Sequence, residues 1–205
     1  PDFAEVYYYA RHLTRSEVVN VFDRIVDAAK GAALGTGTTM EYEMIGGTHE
    51  LLHIESLQKR MHKNLETIGG YTYSEEEKAF AEKIAKTLGA PLDTRYVEGV
   101  VPYSSNSKAG GSTDVGDVSQ VVPIIRMSAT VAAKNGPWHS WAVVACTGRS
   151  IGHKGMIYAA KALSMTMADL FKEPKLIEAV KEDYKKNKSP KKYVPRIEPG
   201  PPTLD

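Results

Sequence analysis

The chain has 205 residues, of which 42% are hydrophobic, and its 26 basic and 25 acidic residues leave a net charge of +1. A chain of this size and composition can bury a core as one domain or two small ones, which excludes intrinsic disorder. The near-neutral charge gives no case for nucleic-acid binding, and no apolar run approaches the ~20 residues of a membrane-spanning helix.

The cysteine content indicates the compartment. Cys146 is the single cysteine, so no intramolecular disulfide can form, and we expect a reducing compartment such as the cytoplasm. Its apolar surroundings favour a buried, inert thiol over a nucleophile. The chain opens at Pro1 without a methionine, which suggests a fragment of a longer protein.

Strand and helix patterns alternate along the first seventy residues. Valine and tyrosine are frequent in residues 3–13, which favours a strand, and the apolar residues of 54–68 recur at steps of three or four, which favours a helix. The predicted order is a strand at 3–13, a helix at 16–35, a strand at 38–45 and a helix at 54–68. This order predicts a compact α+β unit, close to half or more of a ferredoxin-like sandwich, that ends at Gly69-Gly70.

The patterns after Gly70 are less regular. Ser74 and Glu77 have the spacing of a capping box, which predicts a helix that begins there and stops at Gly89. Residues 90–109 show little periodicity and predict a long loop. The later predictions are a short helix at 115–122, a strand at 124–133, a short strand at 142–146, a helix at 156–171 and a helix that begins at Pro174.

A glycine-rich turn, Gly110-Gly111, precedes the short predicted helix. Ser112 and the two residues after it, Thr113 and Asp114, are types that cap helix N-termini, and the amide groups of such a turn attract carboxylates or phosphates. A tight loop that only caps a helix explains the same residues. Asp117 lies three residues after Asp114, and the two are either paired carboxylates or residues that complement the helix dipole.

Two histidine patterns suggest metal chemistry. His139 lies between Trp138 and Trp141, a setting that suits a metal ligand or an acid–base group, although a packing histidine in an aromatic loop is the alternative. The stretch His49-Glu50-Leu51-Leu52-His53 matches the helical zinc motif H-E-x-x-H. It follows Gly46-Gly47 at a predicted strand end rather than within a long helix, so a chance match is favoured.

Several stretches, in the right order along nearly the whole chain, resemble one family. Residues 1–9 and 29–33 resemble the lid region of the aminobenzoyl-glutamate utilization type B proteins. These belong to the dinuclear-zinc amidohydrolases and carboxypeptidases related to aminoacylases. Three later stretches resemble characteristic sequences of that subfamily: GSTDVGDVS at 111–119, HSW at 139–141, and SIGHKGM at 150–156 with Ala159-Ala160-Lys161.

The resemblance implies an α/β fold: the C-terminal part of a zinc-hydrolase α/β domain, at 71–205, preceded by the later part of a ferredoxin-like lid and dimerisation domain, at 1–70. It implies that His139 is the last ligand of a site with two zinc ions, for which manganese can substitute. It also implies that a substrate's carboxylate side is lined by the glycine turn: Gly111, Ser112, Thr113 and Asp114.

The family's other metal ligands, including an H-x-D stretch, and its general-base Glu would lie upstream of Pro1. We therefore expect these residues alone to be inactive, as the C-terminal portion of a zinc-dependent amidohydrolase. The complete enzyme would cleave an amide of an acyl- or aminobenzoyl-amino acid, such as aminobenzoyl-glutamate, as a cytoplasmic homodimer paired through the lid. The alternative is a non-catalytic dimerisation or binding module derived from that family.

Overall fold

The computed structural model of the chain describes residues 2–89, 95–104, 111–133, 139–190, 192–197 and 200. Within these residues the structure is all-helical, with eight α-helices and no β-strand. The predicted α/β fold class, with its sheet and ferredoxin-like sandwich, is therefore wrong for this part of the chain. The helices are α1 (Arg15–Thr36), α2 (Glu55–Ile68), α3 (Glu75–Thr87), α4 (Arg95–Glu98), α5 (Val115–Ser119), α6 (Trp141–Thr147), α7 (Ser150–Lys172) and α8 (Pro174–Asn187).

The segments predicted as strands are either irregular or helical. Residues 3–13, 38–45 and 124–133 form no strand, and the side chains of Tyr7, Tyr8 and Tyr9 are exposed. Strand propensity reflects packing on a half-buried pleated surface, so these residues form no sheet where no paired strand lies beside them. The predicted strand at 142–146 lies within α6, because a short apolar run fits either structure.

Local sequence signals do set the helix ends. At the start of α3, Ser74 Oγ accepts a 3.2 Å hydrogen bond from the Glu77 amide, and Glu77 Oε2 accepts one of 2.6 Å from the Ser74 amide. The predicted capping box is therefore confirmed. The helices predicted at 16–35, 54–68 and 156–171 are also present, and Pro174 begins α8 as predicted. Residues 90–94 and 105–110, in the predicted loop, lie outside the described residues.

Contacts divide the chain into two units. The first comprises Pro1–Leu52, Ala109–Ile124 and Lys188–Asp205, and the second comprises His53–Lys108 and Ile125–Asn187. In the first unit, Val26 is the buried residue of the 22-residue helix α1. The domain boundary near residue 70, which came from the family resemblance, stays a prediction.

The second unit has two apolar clusters. One joins residues of α3, α6 and α7, and the other joins α2 to α8 through Ile54, Leu57, Leu176 and Val180. The segment at 124–133 runs against α7, since a Cβ at Gly155 would collide with the carbonyl oxygen of Thr130. No described helix combines the length and apolar character that a membrane crossing requires.

Candidate functional site

The predicted substrate turn lies in the first unit, directly before α5. Gly111, Ser112 and Asp114 are exposed, and Gly111 has a left-handed φ of 97°. Gly110 lies outside the described residues. The Ser112 hydroxyl accepts a 2.7 Å hydrogen bond from Arg11 Nη1, which sets a guanidinium beside the turn.

The amide groups at the start of α5 are largely occupied by the turn itself. Thr113 accepts hydrogen bonds from the amides of Val115, at its hydroxyl, and Gly116, at its carbonyl, over 3.3 and 3.1 Å. The Asp114 carbonyl accepts one of 2.9 Å from the amide of Asp117. The turn therefore offers a ligand its exposed side chains and the neighbouring guanidinium, rather than a free helix terminus. The assignment of residues 111–114 to a substrate stays a prediction.

A polar cluster is centred on Asp117, and we call its members, Arg15, His49, Glu50, Asp117 and Tyr193, the Asp117 cluster. Asp117 Oδ2 accepts a 3.1 Å hydrogen bond from the His49 amide, and Oδ1 accepts one of 3.1 Å from the Tyr193 hydroxyl. Arg15 Nη1 lies 3.9 Å from Oδ1, with both side chains mostly buried. One carboxylate thus joins three segments that are far apart in the sequence.

The electrostatics of this cluster keep the His49 ring neutral at pH 7. Burial lowers the pKa of His49, and the positive charge of Arg15 lowers it further, while Asp117 and Glu50 act in the opposite direction. The ring lies 5.4 Å from that of Tyr193, measured between centroids, and its Nδ1 is 3.8 Å from Glu50 Oε2. His49 Nε2 is buried without a hydrogen-bond partner among the described residues.

Helix α5 holds residues 49–52 in place through side-chain hydrogen bonds to the backbone. Ser119 Oγ accepts a 3.1 Å bond from the Leu52 amide, and Gln120 Nε2 donates one of 3.1 Å to the Glu50 carbonyl. The close approach requires glycine, because a Cβ at Gly116 would collide with the His49 carbonyl oxygen. Residues 49–53 lie outside every described helix, so the helical zinc motif that their letters spell is absent.

His139, the predicted metal ligand, is exposed at the entry to α6 in the second unit. Its φ of 63° is in the left-handed region, which residues other than glycine adopt infrequently. Trp141 is 59% exposed and Trp138 lies outside the described residues, so the expected enclosure by two indoles is not seen at Trp141. The following residue, Ser140, is the N-cap of α6, and its hydroxyl is buried without a partner in the described part of the chain.

The helix after His139 is firmly anchored. Ala142 and Cys146 are 2% and 0% exposed and pack in the cluster that contains Ile151. The expectation of a buried Cys146 thiol is therefore confirmed. The backbone that carries His139 leads directly into this rigid element, while the ring itself stays accessible.

The donor set for a metal is incomplete in this chain. Among the described residues, no group of three or more His, Cys, Asp or Glu side chains is arranged to hold a metal ion. His139 can supply a single imidazole donor, and a catalytic zinc requires about three protein ligands. Any metal site that uses His139 needs donors beyond those described, and the zinc assignment stays a prediction.

Sequence reasoning missed most of the Asp117 cluster. The sequence indicates Asp117 only as a capping or paired carboxylate, and it gives no role to Arg15 or Tyr193. The available signal was the position of Asp117 inside the stretch at 111–119 that resembles the family. Nothing local in the sequence indicates that Tyr193, 76 residues further along, donates to it.

Comparison with known proteins gives relatives but no structural template. No protein-family model matches the chain, and no solved structure matches it significantly. The B-type subunit of the p-aminobenzoyl-glutamate hydrolase of Escherichia coli (strain K12) is 31% identical over 206 residues, which cover 88% of this chain and 43% of that protein. The Xaa-Arg dipeptidase of Homo sapiens is 27% identical over 97% of this chain and 39% of its own length.

The chain thus spans less than half the length of these curated relatives. The Xaa-Arg dipeptidase of Mus musculus, 25% identical over 90% of this chain, has a similar proportion, with 37% of its length covered. The matches extend over nearly the whole of the present sequence and agree with the resemblance of its motifs. The chain belongs to the family of amidohydrolases and peptidases that includes this p-aminobenzoyl-glutamate hydrolase subunit and Xaa-Arg dipeptidase.

Proposed function

We propose that this chain is the C-terminal portion of a metal-dependent amidohydrolase that cleaves an amide bond of an acyl- or aminobenzoyl-amino acid. The observation that carries the proposal is its 31% identity to the p-aminobenzoyl-glutamate hydrolase subunit over 88% of the chain. Because the chain spans less than half of that relative, we assign the activity to the complete protein. Residues 1–205 alone are expected to be inactive.

The glycine turn binds the carboxylate side of the substrate in this proposal. The exposed hydroxyl of Ser112, with Gly111, Thr113 and Asp114 beside it, forms the lining. The geometry at Arg11 supports this role, because its guanidinium lies 2.7 Å from the Ser112 hydroxyl and a guanidinium is a strong partner for a carboxylate. Asp117 positions the turn through its bonds to His49 and Tyr193.

His139 supplies one ring nitrogen to the metal site. Its exposed ring and left-handed backbone support this role, since residues held in sparsely populated conformations are concentrated at functional sites. The remaining donors and the general-base Glu come from polypeptide outside this chain. A zinc ion, or manganese in its place, would activate a water molecule and polarise the amide carbonyl when bound.

The test is hydrolysis by the complete protein of two candidate substrates, p-aminobenzoyl-glutamate and a dipeptide that ends in arginine. We expect release of p-aminobenzoate, loss of activity on addition of a chelator, and loss of activity in His139→Ala. Ser112→Ala should raise KM more than it lowers kcat, by about tenfold, the cost of one hydrogen bond to a charged group.

His12→Ala is the matched control, because His12 is also exposed and has no assigned role, and its activity should equal that of the wild type. Cleavage of the dipeptide alone would move the assignment to a dipeptidase. Full activity in His139→Ala would remove the ligand assignment. The absence of any amide hydrolysis, together with a stable metal-free dimer, would favour the non-catalytic module instead.

A further inference from the structure

Helix α7 carries apolar residues on two opposite faces. At about 100° per residue, Ile151, Gly155 and Ala162 fall on one face, and all three are buried within the second unit. The opposite face presents large apolar side chains that are 48% to 84% exposed. We call these residues the outer face of α7: Met156, Ile157, Leu163, Met167 and Phe171.

The outer face contains no charged residue. The exposed charged residues of α7 are Lys161 and Lys172, and helical spacing puts both at one margin of the face. From Met156 to Phe171 the face extends about 22 Å at ~1.5 Å per residue. A helix that is apolar around most of its circumference is typical of a helix buried on both sides, and a patch of this kind marks an interaction surface.

We propose that the outer face of α7 is covered, in the complete protein, by polypeptide that the relatives contain beyond the region matched by this chain. The proposal rests on the proposed function, in which these residues are a portion of a longer enzyme. The matched region is only 43% and 39% of two relatives, so more than half of each remains to supply the covering element. That element presents an apolar surface, since the outer face has no charge for it to pair with.

Thiol accessibility tests this directly in the complete protein. Leu163→Cys and Met167→Cys place a thiol on the outer face, and Lys161→Cys places the reference thiol at its margin. The native Cys146 is fully buried and sets the background. In the native state the two outer-face thiols should react with a maleimide about tenfold or more slowly than the reference, because a covered thiol reacts only when its contacts open. In denaturant all three should react alike.

Equal reactivity of the three thiols in the native protein would overturn the proposal. So would protection that disappears on about hundredfold dilution, because mass action then identifies a second copy of the chain as the occupant. Hydrolysis measured on the same samples separates the two proposals. Protection without hydrolysis supports the covered face and counts against the proposed function, whereas hydrolysis with an unprotected Leu163→Cys thiol contradicts the covered face alone.

Discussion

Replacement of Glu77 should destabilise the second unit more than any other charge change at the start of α3. The Glu77 carboxylate is 8% exposed, lies 2.5 Å from Lys154 Nζ and accepts the Ser74 amide at 2.6 Å. Loss of a helix cap costs about 1 kcal/mol. Loss of the ion pair costs less than the 3–5 kcal/mol or so of a fully buried pair, because Lys154 is 38% exposed and keeps its 2.9 Å bond to the Thr72 carbonyl.

We therefore expect Glu77→Ala to lower the free energy of unfolding by about 2–3 kcal/mol, and Glu77→Gln, which can still cap the helix, by roughly half of that. The assay is denaturant unfolding followed by circular dichroism. Glu76→Gln is the matched control, since Glu76 is exposed in the same helical turn and its loss should cost less than about 0.5 kcal/mol. A Glu77→Ala protein no less stable than this control would refute the reasoning.

The same carboxylate gives a pH dependence with a definite sign. Burial opposes ionisation of Glu77, but hydrogen bonds from Lys154, the Ser74 amide and Ser150 outweigh it, so the pKa of Glu77 lies below its ordinary value. The folded state then binds its proton less readily than the unfolded chain does. The stabilisation should be present above about pH 4.5 and be lost as the pH falls through the folded pKa, and Glu77→Gln should abolish this part of the profile.

Two further changes test the first unit. Gly116→Ala should lower the free energy of unfolding by about 1–3 kcal/mol, because its Cβ meets the His49 carbonyl, whereas Gly35→Ala, in open space on α1, should be neutral or stabilising; equal melting temperatures would contradict this. Burial, with Arg15, lowers the pKa of His49, so stability should fall as the pH drops below about 6.5; His49→Gln should flatten that limb, and an unchanged slope in a pH series of melts would be evidence against it.

The helices could be read from the sequence where local signals agree. The capping box at Ser74 and Glu77 and the three-or-four spacing in 54–68 each determine structure within a single turn or face, and both predictions are confirmed. The strand predictions failed because a strand requires a partner, and no local pattern states whether one is present. Residues 3–13 have strand-forming side chains but lie beside no strand in the described part of the chain.

The polar networks were beyond sequence reasoning for a different reason. Asp117 bonds to His49 and Tyr193, 68 and 76 residues away, and Glu77 pairs with Lys154 at a separation of 77 residues. Such contacts depend on the tertiary fold and leave no periodic trace. The family, in contrast, was accessible, because short motifs such as GSTDVGDVS and HSW keep their order along the chain.

Metal content tests the assignment of His139 most directly. The complete protein, purified with zinc, should contain about two equivalents of metal by mass spectrometry, as expected for a two-metal hydrolase. His139→Ala should lose at least about one equivalent while His12→Ala keeps both, since removal of a ligand weakens the site that it completes. Unchanged metal content in His139→Ala would contradict the assignment of His139 as a metal ligand.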